Sequence, residues 1–167
     1  MFDQDNTIKL ELTKGFYALV DADCPDWIKK QKWCSTKSGT SEKVYAACSG
    51  RQHNHSGLLL LHRVIMGAQK GQMVDHINGD TLDNRRSNLR FCNHSQNGAN
   101  SIPKRGLEFK GVTLDKRRNK WTARIVLNYK KVYLGEFDDK IDAAKAYDKA
   151  AKKHFGEFCK LNFVNSD

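Results

Sequence analysis

Between residues 110 and 155 the apolar period of this chain switches from two residues to about 3.6, and no other feature constrains its fold as tightly. The alternating part predicts strands at 110–114, 120–127 and 131–137, with turns at 115–119 and 128–130. One face collects Val112, Leu114, Trp121, Ala123, Ile125, Leu127, Val132 and Leu134, a core face. The other collects Thr113, Asp115, Lys120, Thr122, Arg124, Val126, Lys131 and Tyr133, a basic platform with one aromatic. A helix over 138–155, capped by Asp138 or Asp139 and ended by Gly156, supplies the cover. Its alanines at 143, 144, 146, 150 and 151 let it lie close to the sheet. The expected product is a three-stranded antiparallel sheet packed on one helix.

Charge follows the same division. Residues 1–103 carry 13 Lys and Arg against 10 Asp and Glu, whereas residues 104–167 carry 16 against 9. Within 110–131 there are eight basic residues and a single acid, Asp115. A net charge of +10 focused in this way suits a polyanion such as double-stranded DNA, although a solvated basic face without a partner is the bland alternative. Lys116, Arg117 and Arg118 in the first turn are expected to grip the DNA backbone. No apolar run approaches the length of a membrane span, and the start MFDQDNTIKLEL lacks the basic and apolar parts of a signal peptide, so a soluble intracellular protein is expected. The five cysteines are odd in number and show no C-x-x-C pair, which points to reduced thiols rather than a structural zinc site.

The first half reads as β-rich. Ile8, Leu10 and Leu12 alternate with polar residues, residues 16–20 form a second apolar run, and 26–33 reads as a short helix capped by Asp26. A third strand is expected at 43–47, a polar loop at 49–57, and a strand running into a helix over 58–66. Pro103 and Gly106 punctuate a change of composition, so the expected domains are 1–103 and 104–167.

Between them lies a polar stretch: Val74-Asp-His-Ile-Asn-Gly-Asp80, Leu82-Asp-Asn-Arg-Arg-Ser-Asn-Leu-Arg90 and Cys92-Asn-His-Ser-Gln-Asn97. Residues 72–77 can form a strand, Asn78-Gly79 a tight turn, 89–92 a second strand, and 94–100 a short helix. Such a β-β-α hairpin can gather an Asp, a His and a later carboxamide around one divalent cation. Phosphodiester hydrolysis needs a water, a base to deprotonate it, and positive charge on the phosphate. Neutral imidazole suits the base, and Asp and Asn oxygens suit Mg²⁺ or Mn²⁺. Asp75 and His76 are neighbours, so a regular strand turns them to opposite faces; both line one cleft only if the strand ends or distorts there.

This stretch resembles the HNH family of ββα-metal nucleases, in the form found in phage and intron-encoded homing endonucleases. The resemblance implies His76 as general base, Asp75 and Asn97 as ligands of one Mg²⁺ or Mn²⁺ ion per active site, and Asn88 as the residue holding loop and base in place. The last motif position is Asn97 where many of these nucleases have His, and His94 is a rival ligand. Arg85, Arg86 and Arg90 are either loop-stabilising cations or contacts to phosphates flanking the cut. His62-Arg63 is read as packing or phosphate contact, and His53 with His55 as a solvated loop.

Residues 110–163 resemble the plant ethylene-response-factor (APETALA-type) DNA-binding domain through Gly111-Val112, Lys120-Trp121, Ala123, Ile125, Tyr133-Leu-Gly-x-Phe137, Ala143-Ala-x-Ala-Tyr-Asp148, Ala150-Ala151 and Leu161-Asn-Phe163. That resemblance implies a sheet lying in the major groove. The DNA contacts carried over are Lys120, Thr122, Arg124, Lys131 and Tyr133, with Trp121 in the core. The whole is then α+β: a ββα-metal nuclease domain with an N-terminal β segment, followed by the sheet-and-helix module. It would act as a monomer that nicks duplex DNA, in the cytoplasm of a bacterial host if phage-encoded. Two alternatives stand beside it: a DNA-binding regulator whose nuclease segment has lost catalysis, and a structure-selective DNA-processing nuclease of a phage.

Overall fold

The computed structural model describes residues 6–37, 42–53, 57–103 and 106–163. His55 and the side chain of His53 fall outside that description. Contacts divide the chain into two compact units, residues 1–92 and 93–167.

The first unit opens with a hairpin of β1 (Thr7–Glu11) and β2 (Tyr17–Asp21), in which Leu10 pairs with Ala18 and Ile8 with Val20. Helix α1 (Asp26–Lys30) follows. Its cap differs from the expected one: Pro25 holds the N-cap position, and Asp26 is the first helical residue, paired with Lys29 at 3.4 Å. Proline's fixed φ already starts the turn, and the aspartate then sits at the positive end of the helix. The helix stops at Lys30 rather than reaching Trp33, because Gln31 turns extended and lets the indole drop into the core. There its Nε1–H donates to the Ile28 carbonyl at 2.9 Å.

A second antiparallel sheet has the order β3 (Cys34–Lys37), β4 (Val44–Ser49), β5 (Leu58–Leu60), and β5 runs directly into α2 (Leu61–Ile65). Leu10, Leu12, Ala18, Val20, Cys24, Ile28, Trp33, Ala46, Cys48 and Leu61 form one core. Burying each large member contributes roughly 1.5–3 kcal/mol. All five cysteines are free thiols, with Cys24 and Cys48 buried. Strands β6 (Met73–His76) and β7 (Leu89–Cys92) form an antiparallel pair whose register sets Asp75 opposite Arg90 and His76 opposite Leu89.

The polar loop between β6 and β7 is sewn onto the N-terminal sheets. The Leu19 N–H donates to the Leu82 carbonyl, and the Asn84 N–H donates back to the Leu19 carbonyl, both at 2.8 Å. Thr81 Oγ1 donates to the Val44 carbonyl at 2.6 Å, and the Arg86 N–H to Asp21 Oδ2 at 2.8 Å. A loop rich in Asn and Asp, which on its own would be solvated, is thereby given a fixed backbone.

The second unit begins with α3 (His94–Ala99), started by a capping box in which Asn93 and Gln96 bond each other's backbone N–H. Then come β8 (Val112–Asp115), β9 (Lys120–Leu127) and β10 (Lys130–Phe137) in the order β10-β9-β8, with α4 (Lys140–Phe155) packed against the sheet. Asp139 is the N-cap of α4, accepting from the Ile141 and Asp142 N–H groups. Ala143, Ala144, Tyr147 and Ala151 are its buried face, against Val112, Ala123 and Ile125. Asp148 accepts from the Asn162 and Phe163 N–H groups, and Asn162 bonds the Lys110 backbone, so the C-terminal segment is tied to the start of the sheet.

Two expectations for the sheet change. Leu114 and Val132 belong to the core face by alternation, yet they are 39% and 37% exposed, because β8 and β10 are edge strands. A register shift between Tyr133 and Gly135 inserts Leu134 as an extra residue. Leu134 then packs on the core, and Glu136 lines up with Thr122 on the outward face. No helix among the described residues is long and apolar enough to cross a membrane.

Candidate active site and nucleic-acid interface

His76 is the last residue of β6, so the strand ends at the Asp75-His76 pair. Its side chain is buried (4% exposed) and meets the His62 ring edge to face, with centroids 5.0 Å apart. Tyr45 completes the cluster, 5.8 Å from His62 and 6.3 Å from His76 between ring centroids. Burial pulls His76 below the usual histidine range, against smaller upward pulls from the Asn84 hydrogen bond and the Asp75 and Asp80 charges. Burial and the neighbouring His76 push His62 down to about 3. Both rings are therefore neutral at physiological pH. The Tyr45 hydroxyl is pushed up by burial first and by Asp75 second, so this ring feels both members of the Asp75-His76 pair.

Asp75 is also buried, and Arg90 binds its Oδ2 at 3.2–3.3 Å through Nε and Nη2. Asn88 spans the loop: Oδ1 accepts from the Asn78 N–H at 3.0 Å, and Nδ2 donates to Asn78 Oδ1 at 3.0 Å and to the Asp83 carbonyl at 2.8 Å. Asp83 is held by Arg85, Nε at 2.8 Å and Nη2 at 2.7 Å, and that guanidinium keeps its carboxyl below the usual range. Arg86 pairs with Asp21 and Asp23. Each of the three arginines of this stretch thus has a carboxylate partner within the unit, which favours the loop-stabilising reading of them.

Arg63 reaches back to the Gln69 carbonyl at 2.9 Å and to the Gln72 carbonyl, bracing the segment ahead of β6. Asn97, exposed on α3, belongs to the second unit, as does His94, whose ring lies 6.1 Å from that of Tyr129. Among the described residues no group of three His, Cys, Asp or Glu side chains converges on one metal position. Tyr45 and Asn84 were not candidates by sequence, whereas His62, read there as packing or phosphate contact, packs in the interior. Asn84 stands inside the Leu82–Arg90 motif, whereas nothing local marks Tyr45, which sits on a different strand pair.

On the C-terminal sheet, register places Arg124 beside Tyr133 and Val126 beside Lys131 on the outward face. Arg124, Lys131 and Tyr133 are exposed, as are Lys116, Arg117 and Arg118 in the β8–β9 turn. Thr122, on the same face, is 3% exposed: it lies on the central strand, with Thr113 and Glu136 as cross-strand neighbours. Arg118 pairs with Asp115 and Glu136, and Lys120 with Asp138. Lys110 is withdrawn from the basic surface. Its ammonium donates to the Ala99 and Ser101 carbonyls, and burial lowers it to about 8. Among the described residues Lys116, Arg117, Arg124 and Lys131 form no ion pair, so their charge is available to an anion.

Comparison with known proteins places two families on these two regions. Residues 59–99 match the HNH endonuclease model, and residues 107–157 match the AP2 domain model. The chain is 43% identical over 60 residues to AP2-like ethylene-responsive transcription factor TOE2 of Arabidopsis thaliana, a match covering 36% of this chain and 12% of that protein. It is 43% identical over 63 residues to APETALA2-like protein 2 of Oryza sativa subsp. japonica, covering 38% of this chain and 14% of that one. The chain therefore spans only a small part of these plant relatives. An uncharacterized HNH endonuclease, L560, of Acanthamoeba polyphaga mimivirus is 29% identical over 153 residues, 91% of this chain and 78% of the viral protein. The chain thus carries an HNH endonuclease domain followed by a C-terminal AP2 domain.

Proposed function

We propose that the chain is a site-selective, metal-dependent endonuclease of the homing type, hydrolysing phosphodiester bonds of double-stranded DNA. The observation that carries this reading is His76, a buried imidazole held neutral beside Asp75 at the end of β6, within the HNH match. The imidazole takes the proton of the attacking water, a role that requires its neutral form. Asp75 and Asn97 are the ion's ligands in this reading. An all-oxygen donor set of one carboxylate and one carboxamide fits a hard cation, Mg²⁺ or Mn²⁺, better than zinc. When bound, the ion supplies positive charge at the scissile phosphate. Arg90 fixes the orientation of the Asp75 carboxylate, and Asn88 keeps the loop closed over β6.

The AP2 domain anchors the enzyme. Arg124 and Tyr133 lie side by side on the outward face, where the guanidinium can reach a guanine edge. Lys116, Arg117 and Lys131 take phosphates, while Arg118 and Lys120 must first release carboxylate partners. With one catalytic imidazole per chain the expected product is a nick, made by a monomer inside the cell that holds the DNA. Run-off mapping of cuts on supercoiled DNA, with Mg²⁺ and Mn²⁺ compared, tests the reading. Discrete stops ending in 5′-phosphate and 3′-hydroxyl are expected. Scattered cuts in both metals would contradict site selection.

A further inference from the structure

Cations alone satisfy the phosphates of a duplex, so apolar side chains clustered in the open on the same surface need another explanation. Ile102, Leu107, Val126 and Tyr129 are all exposed, Tyr129 by 79%, and all four line one groove of about 490 Å³ within the second unit. One side of the groove is α3 with the segment that follows it. The other is β9 near the hairpin tip, with Lys131 of β10. The α3 side is held in place. The Lys110 ammonium donates to the Ala99 and Ser101 carbonyls, and the Lys160 N–H donates to the Ala99 carbonyl at 3.0 Å.

Tyr129 stands at the tip of the β9–β10 hairpin, where Asn128 and Tyr129 both have positive φ, 47° and 65°. Glycine takes such a position without strain, so a tyrosine there is kept against a backbone penalty. Its ring lies outside the core, beside that of His94 with centroids 6.1 Å apart. The charge at the groove has one sign. Among the described residues that line it none is acidic, whereas Arg124 and Lys131 stand there free of ion pairs. A ligand that suits the groove is anionic and presents a flat apolar face. A paired base hides its faces in the stack, but an unpaired one exposes a face and carries its phosphate with it. The volume falls within the ~300–1,000 Å³ of small-molecule sites, room for one nucleotide and not for a double helix.

We propose that this groove binds one unpaired nucleotide of an otherwise duplex DNA, with the base against Tyr129, Val126 and Ile102 and its phosphate on Lys131. Arg124 stays on the paired bases alongside. The site rests on the reading of the AP2 sheet as the DNA anchor, and it narrows the substrate to a duplex interrupted by an unpaired base.

Fluorescence anisotropy of the full chain in EDTA, so that no cutting intervenes, compares three probes of one sequence. They are an intact duplex, the same duplex with one bulged adenosine, and that duplex with an abasic residue at the bulge. The bulged probe should bind about tenfold tighter than the intact one, and the abasic probe should lose most of that gain. Tyr129→Gly, which suits the turn, should bring the bulged probe to the affinity of the intact duplex. Binding of the intact duplex itself should stay within about twofold of wild type. Ile102→Ser should reduce the gain in the same sense. Equal affinity of wild type for bulged and intact probes overturns the proposal. So does a gain retained by the abasic probe, which reports backbone flexibility alone, or by Tyr129→Gly. A dimer in light scattering that Tyr129→Gly dissolves assigns the groove to a second copy of the chain and overturns it too. If no probe binds even at low salt, the anchoring reading of the AP2 domain fails and takes the site with it. Intact duplex bound as tightly as the bulged probe instead isolates the fault in the groove.

Discussion

His62 and His76 meet edge to face in the interior of the first unit, with ring centroids 5.0 Å apart and each side chain more than nine-tenths buried. Two imidazoles so placed disfavour each other's charge: protonating either one puts a cation in a buried site beside a ring of the same kind. The pair therefore keeps its rings neutral by construction. Neutrality is the state a general base requires.

The pair makes stability depend on pH in a defined direction. His62 has a folded-state pKa of about 3 against an unfolded value of 6.5, so between these values the unfolded chain binds the extra proton. Stability is then fully present above pH 6.5 and is lost as pH falls toward 3. Between pH 6.5 and 5 the loss amounts to roughly 2 kcal/mol. Urea titrations of wild type and His62→Phe across this range should give a shallower pH dependence for the variant.

Arg85 tests the structural role of the motif arginines. Its guanidinium is the bidentate partner of Asp83, whose side chain is 4% exposed. Arg85→Ala strands that carboxylate and should cost about 2–4 kcal/mol. Thermal unfolding should show the loss, while duplex affinity at a temperature where the variant is folded stays within about twofold, as for any residue that makes no phosphate contact.

Gly111 tests the packing of helix on sheet. Its φ is +76°, and a Cβ there would lie 2.1 Å from Cδ2 of the buried Tyr147 and 2.6 Å from the Arg124 carbonyl oxygen. Neither neighbour can yield, because the ring is core and the oxygen is backbone of β9. Gly111→Ala should destabilise the second unit by about 2–4 kcal/mol, from strain and overpacking together. Differential scanning calorimetry checks this.

Arg124 tests the sheet as a reader of DNA. Arg124→Ala should weaken binding to the preferred duplex by about 1–3 kcal/mol and relax selectivity at one position. Lys116→Ala should instead weaken all duplexes alike and lower the salt slope by about one. Fluorescence anisotropy over a salt series separates the two.

Much of this structure was legible in the sequence, and the missed parts share a cause. Alternation found β8 to β10, the alanine spacing found α4, and Asn78-Gly79 marked the turn after β6. The three motif blocks pointed to the HNH segment, and the landmarks of 110–163 pointed to the AP2 domain. Alternation assumes an unbroken register, so it could not show Leu134 as a bulge or bring Glu136 to the face where it meets Arg118. Nor does it report cover: Thr122 points outward and is nonetheless buried, because it sits on the central strand. Asp26 carries the side chain of a cap, but Pro25 already occupies that position. Asn84 and Tyr45 acquire their meaning from partners on other elements, the Leu19 backbone of β2 and the paired histidines, and no local pattern encodes such meetings.

The central claim is that one buried neutral imidazole removes the proton from the nucleophile. Nicking of supercoiled DNA by the full chain in saturating Mg²⁺ tests it most directly, with wild type and His76→Ala compared at equal duplex occupancy. A drop of about a hundredfold or more in rate, with duplex affinity preserved, is the expected result. An unchanged rate in the variant would contradict the account.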